Sequence, residues 1–139
     1  MDLVDTRAGD LFEQGFPALA QAVTCVGVMD HDFRVRWPAM YDRYRERCRA
    51  GMLRLGGLMS WKAPDGLLVY NLVIHQRAGT PPDPQALRTA LTAALADAER
   101  RGIRQLGLPR LPDWDQTGPV VTEVAATSAI QIVVVQPAG

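Results

Sequence analysis

The sequence predicts an α/β fold, a three-layer α/β/α sandwich around a mixed sheet, and three observations predict it. Apolar runs of strand length alternate with stretches whose apolar residues recur every three or four positions, the order of strands joined through helices. The strand-like runs are apolar on consecutive residues, which marks strands covered on both faces. The helical stretches carry start and stop signals of their own. A chain of 139 residues is long enough to bury one such core, and 1–139 reads as a single domain.

Met1 to Thr6 reads as a short edge strand running into a turn at Arg7-Ala8-Gly9-Asp10. Asp10 is placed to cap a brief helical turn through Leu11, Phe12 and Glu13, because a carboxylate accepts the amide hydrogens a helix start leaves unpaired. Ala18 to Met29 is an apolar run broken by Gln21, Thr24 and Gly27, and its Ala22–Val28 part reads as a buried strand. The cluster Asp30-His31-Asp32 follows as a solvated turn. Pro38 suits the first turn of a helix, where its missing N–H is harmless. That helix runs to about Ala50 and stops at Gly51, with Met40, Tyr44 and Cys48 on one apolar face and its arginines mostly toward solvent.

Gly57 to Trp61 and Leu67 to His75 read as strands around the hairpin turn Ala63-Pro64-Asp65-Gly66. Prolines and a glycine make Arg77 to Pro84 a loop. Asp83 then caps a helix that has Pro84 in its first turn, keeps Leu87, Leu91, Ala94, Leu95 and Ala98 on one face, and ends at Gly102. Ile103 to Leu108 is a short strand and Pro109-Arg110-Leu111-Pro112-Asp113 a loop. Trp114 to about Thr127 is a helix that Gly118 and Pro119 weaken, and Ile130 to Val135 is the closing β-branched strand.

Composition excludes several function classes. Apolar residues at 47% and charged residues at 22% are globular values, far from those of disordered chains. Basic and acidic residues balance at 15 each, so no net field draws the chain to nucleic acid or to a membrane. Two cysteines, Cys25 and Cys48, make no disulfide framework. The first residues lack a basic and apolar leader, and no run approaches the roughly 20 apolar residues of a membrane span. The expectation is a cytoplasmic, reduced protein. Lys62 is the only lysine among many arginines, a bias of GC-rich genomes that suits a bacterial source.

In open α/β sheets, ligands sit at the carboxyl ends of strands, where loops and helix starts offer free amides. The candidate loops are Gly9 to Phe12, Gly27 to Phe33, Gly79 to Asp83 and Pro109 to Asp113. The turn Gly9-Asp10-Leu11-Phe12 followed by Val23-Thr24-Cys25-Val26-Gly27-Val28-Met29 resembles the opening of a macro domain. The likeness is to the branch that holds terminal ADP-ribose glycohydrolases and bacterial DNA-ADP-ribosylation antitoxins. It continues through Cys48-Arg49-Ala50-Gly51, Tyr70-Asn71-Leu72, the capped helix and Leu108-Pro109-Arg110, and covers nearly the whole chain.

This resemblance implies that Asp10 accepts from an adenine amino group and that Leu11 offers a backbone amide beside it. It implies that Gly27, Val28 and Met29 floor the site near the distal ribose and diphosphate. Several positions depart from the pattern. Thr24 stands where the family has the asparagine that grips the distal ribose. Asp30-His31-Asp32 replaces a glycine-rich phosphate loop, and two carboxylates there would repel a diphosphate. The segment between Phe33 and Trp37 is short and lacks the lysine some relatives use as nucleophile. Leu111, with Pro112 and Asp113, replaces the second phosphate loop and its catalytic aspartate.

Plainer readings stand beside these. Asp10 is also an ordinary helix cap, His75-Gln76-Arg77 a polar strand end, and Cys25 a small buried hydrophobe. Asp30, His31, Asp32 and His75 have metal-ligand chemistry, but two histidines without a nearby cysteine make a poor zinc set. No P-loop, nucleophile elbow or Rossmann glycine motif is present, so no metal or cofactor is expected. The reading that follows is a divergent macro-domain protein with a degenerate site, binding ADP-ribose or a related nucleotide in a reduced cleft without catalysis. Nucleic acid enters only as ADP-ribosylated DNA, and no membrane is involved. Two alternatives remain: a ligand-free scaffold acting through Trp37, Trp61 and Trp114, and a residual ADP-ribosyl hydrolase using Asp113 or His31.

Overall fold

The computed structural model describes residues 4–138; Met1 to Leu3, where the first strand was expected to begin, and Gly139 lie outside the described residues. Six strands form one sheet: β1 (Val4–Ala8), β2 (Ala18–Thr24), β3 (Leu58–Lys62), β4 (Leu68–His75), β5 (Gln105–Pro109) and β6 (Gln131–Gln136). Their spatial order is β1-β6-β5-β2-β4-β3. All neighbouring pairs run parallel except β3 with β4, the hairpin expected around Ala63 to Gly66. The helices are α1 (His31–Arg36), α2 (Pro38–Arg49), α3 (Pro84–Arg100) and α4 (Trp114–Ala125), with a 3-10 turn at Leu11–Glu13.

The sheet is covered on both faces, as the continuous apolar strands required. On one face, Ala18, Ala20, Tyr70, Leu72 and Ile74 pack with Leu87, Leu91 and Leu95 of α3 and Val121 and Val124 of α4. On the other, Leu19, Val23, Val69, Val73 and Val133 pack with Met40 and Tyr44 of α2, Phe33 of α1, and Leu11 and Phe16. Near the middle of the sheet, Leu19 of β2 stands opposite Gly107 of β5. A Cβ on Gly107 would lie 2.3 Å from the Phe16 ring, so the bare backbone is what lets that ring lie on the sheet.

Among the element boundaries that differ from the sequence-based expectation, three change how the chain is read. Arg7 and Ala8 belong to β1, paired with Val135 and Gln136, and the turn starts at Gly9. The buried strand is Ala18–Thr24, not Ala22–Val28, because β4 offers ladder partners from Leu68 to His75 and the pairing slips between Val23 and Thr24. Asp30-His31-Asp32 is not a solvated turn but the start of α1: the Asp30 carboxylate accepts from the Asp32 amide at 3.0 Å, an N-cap. In α4 the Gly118-Pro119 pair is tolerated. The Trp114 indole lies 3.0 Å from where a Gly118 Cβ would be, so the glycine admits the ring across the helix.

Candidate ligand-binding cleft

The carboxyl ends of β1, β2, β4, β5 and β6 open onto one cleft of about 1030 Å³, the size of ordinary small-molecule sites. The turn after β1 contributes Gly9, Asp10, Leu11 and Phe12, and β2 contributes Gln21 and Ala22. Helix α1 and its cap contribute Asp30, His31, Asp32, Phe33 and Arg36. His75 at the end of β4 and Pro109 to Pro112, at and beyond the end of β5, also lie on the cleft lining. The walls mix apolar side chains with polar and charged ones that could orient a ligand.

The charges in the cleft are mixed. Asp10, Asp30 and Asp32 bring carboxylates, and Arg36 and Arg110 bring guanidiniums. One Asp10 oxygen accepts from the Phe12 amide at 2.9 Å, leaving the other without a bond among the described residues. The Arg36 guanidinium lies over the Phe12 ring, 4.3 Å from its centroid, a cation–π contact that holds its charge at the cleft. Arg110 donates to Gln136 Oε1 at 3.1 Å. His75 Nδ1 lies 3.0 Å from the Thr80 carbonyl, which makes that nitrogen the donor and, in the neutral ring, leaves Nε2 as acceptor.

No protein-family model matches the sequence, and no curated protein matches it. Solved structures do. The chain is similar to the macrodomain of Mycobacterium tuberculosis DarG, with a TM-score of 0.83 and 21% identity over 98% of each chain. It is similar to the macrodomain of Thermus aquaticus DarG, with a TM-score of 0.79 and 19% identity over 98% of each. This chain has the macrodomain fold. A third neighbour, Thermosipho africanus DarTG in complex with ADP-ribose, has a TM-score of 0.76 and 18% identity, over 96% of this chain and 42% of that one.

Of the positions singled out from the sequence, the fold places Asp10, Leu11 and Leu111 on the cleft and leaves Thr24, Gly27, Val28 and Met29 off its lining. The cause is the early end of β2. Thr24 is 5% exposed, and its Oγ1 accepts from the amides of Val26 at 3.2 Å and Val28 at 3.0 Å. The chain therefore closes on itself after Thr24. Gly27 takes φ 94° in that turn, Val28 is exposed, and Met29 is buried in the core beneath α2.

His31 lies on the cleft, but Asp113 does not. Asp113 precedes α4 in a left-handed conformation, φ 51°, and borders a depression of about 550 Å³ that shares Arg110, Leu111 and Pro112 with the cleft. No group of three metal-ligating side chains assembles among the described residues. Burial raises the Cys25 thiol, helped by nearby Cys48, and burial likewise raises Cys48. Both remain poor thiolates at neutral pH. Trp37 and Trp61 pack against the α2-side core, 6.2 Å apart between ring centroids, and Trp114 against the other. No helix among the described residues is long and apolar enough to cross a membrane.

The sequence reading placed Phe12 and Arg110 in candidate loops without giving them a role, and it missed Gln21 and Arg36 as cleft residues. For Gln21 a signal existed: a polar side chain inside an apolar strand must find partners when buried. Arg36 carried none, because only the tertiary fold turns the end of α1 toward the space that Arg110 borders after β5.

Proposed function

We propose that this chain is a divergent macrodomain that binds ADP-ribose or a related nucleotide in its cleft and does not hydrolyse it. The observation that carries the reading is the open cleft of about 1030 Å³ at the carboxyl ends of the strands, with Asp10 and Leu11 on its wall. The likeness to Thermosipho africanus DarTG in complex with ADP-ribose supports the ligand class. In this reading the free Asp10 oxygen accepts from the adenine amino group, Leu11 presents its amide beside it, and Leu111 covers the diphosphate end. Thr24, Gly27, Val28 and Met29 support the cleft wall from behind.

Asp30 and Asp32 oppose a diphosphate, and Arg36 and Arg110 offset them; guanidinium groups pair with phosphate oxygens through two parallel N–H bonds. The absence of hydrolysis rests on positioning. Asp113 lies off the cleft lining, and Asp30, which flanks His31 on the cleft, uses a carboxylate oxygen to cap α1, so no nucleophile–base pair of the kind hydrolysis needs is assembled there. The ligand is taken free or carried on ADP-ribosylated DNA or protein. Calorimetry with ADP-ribose is the test: saturable heat is expected, and none at millimolar ligand overturns the reading. Incubation with ADP-ribosylated DNA and protein should return unchanged substrate; release of ADP-ribose overturns the non-catalytic half.

A further inference from the structure

Gln21 lines the cleft yet is 1% exposed. Its Nε2 donates to Asn71 Oδ1 at 2.8 Å, and Asn71 Nδ2 donates to the Met59 carbonyl at 3.0 Å. A backbone carbonyl only accepts, so Met59 decides which end of the Asn71 amide is nitrogen. Asn71 decides in turn which end of the Gln21 amide is nitrogen. The remaining atom, Gln21 Oε1, has no hydrogen-bond partner, and among the described residues it is the one buried side-chain atom without one. Native chains keep few unpaired buried acceptors, because each loses its hydration with nothing in return.

We propose that Gln21 Oε1 is the acceptor for a sugar hydroxyl of the bound nucleotide, an inference that rests on the nucleotide-binding reading above. An amide oxygen held in this orientation only accepts, which excludes a phosphate or carboxylate oxygen as its partner. It is neutral and shares the cleft with buried Leu11, Phe33 and Leu111, so it offers no countercharge to an ammonium group. Asp10 takes the adenine amino group in the same reading. The donors left on ADP-ribose are the ribose hydroxyls. Thr24 is not a competitor, since its hydroxyl already holds two backbone amides. With Gln21 1% exposed, the hydroxyl reaches it only as flanking side chains move aside.

The test compares calorimetric affinities of ADP-ribose and ADP for the wild type, Gln21→Leu, and Gln21→Leu combined with Asn71→Leu, which removes the whole amide relay. Each variant is checked by thermal unfolding. Roughly tenfold weaker binding is expected in both variants, the loss of one buried hydrogen bond, with the fold retained. Weakening of both ligands assigns the hydroxyl to the ribose beside adenine; weakening of ADP-ribose alone assigns it to the second ribose. Wild-type affinity in a folded variant overturns the role of Gln21 and leaves the nucleotide-binding reading standing. A wild type that binds neither ligand overturns both. If Gln21→Leu does not fold, the double variant carries the same comparison; wild-type 2′-deoxy-ADP and 3′-deoxy-ADP titrations test the ribose beside adenine without any substitution, and ADP-ribose against ADP reads the second ribose.

Discussion

The Tyr44 hydroxyl donates to the Thr24 carbonyl at 2.6 Å and lies 3.1 Å from the Val28 carbonyl, so α2 grips both ends of the turn that leaves β2. Burial pushes the Tyr44 phenol above its ordinary range, and it stays protonated, as a donor must. Tyr44→Phe leaves buried carbonyls without that donor and should cost about 1–3 kcal/mol in urea unfolding. An unchanged midpoint would show that the turn holds without α2.

Asp10 serves two ends, and substitutions separate them. Asp10→Asn keeps a side-chain oxygen for the Phe12 amide and should leave stability within about 0.5 kcal/mol of wild type. Asp10→Ala removes the cap at about 1 kcal/mol. Both should weaken ADP-ribose binding on titration, because Asn, with its oxygen on the Phe12 amide, presents an NH2 donor where the free carboxylate oxygen accepted from adenine, and Ala presents nothing. Binding lost in Asp10→Ala alone would make the residue a cap and nothing more.

Gly107→Ala places a methyl where the Phe16 ring lies, 2.3 Å away, with Leu19 at 2.9 Å. Overpacking of this kind costs about 1–3 kcal/mol. The expected result is a lower thermal midpoint, with Phe16→Ala in the same chain recovering part of the loss. Equal midpoints for Gly107→Ala and wild type would mean that Phe16 moves freely.

Asp97 accepts from the Tyr70 hydroxyl at 2.6 Å and pairs with Arg101 at 2.8 Å. The Tyr70 hydrogen bond, ahead of the Arg101 contact, holds its carboxyl below the ordinary value. A depressed folded pKa means stability that is present above the unfolded value of about 3.9 and lost as pH falls through the folded one. Urea unfolding from pH 6 to pH 2 should show the wild type losing about 1 kcal/mol more than Asp97→Asn, with the difference appearing below about pH 4. Parallel curves would remove Asp97 as an acid-sensitive link.

Legibility varied with how local the physics was. Helix α3 was readable because Asp83, Pro84 and Gly102 mark its ends and its leucines keep one face. The hairpin was readable because Pro64, Asp65 and Gly66 form a turn of their own. The boundaries of β2 were not, since an apolar run has no internal period and a strand ends where its neighbour stops pairing, here at His75. Six residues of α1 bury only Phe33, too little to print a helical pattern. In the cleft, Asp10 and Leu11 were legible through their turn, whereas Thr24, Gly27, Val28 and Met29 were expected on a wall that the turn after β2 removed.

The sequence by itself determined the alternation of strands and helices, the double-sided burial of the sheet and the turn that carries Asp10, because each depends on residues near one another in the chain. Only the tertiary structure decided that Arg36 and Arg110 share a cleft with Asp30 and Asp32, and that Met59, through Asn71, orients Gln21. Gln21 meets Asn71 only across the parallel β2–β4 pair and Asn71 meets Met59 only across the antiparallel β3–β4 pair, and Arg110 reaches the charges of α1 only when the strands bring their ends to one cleft.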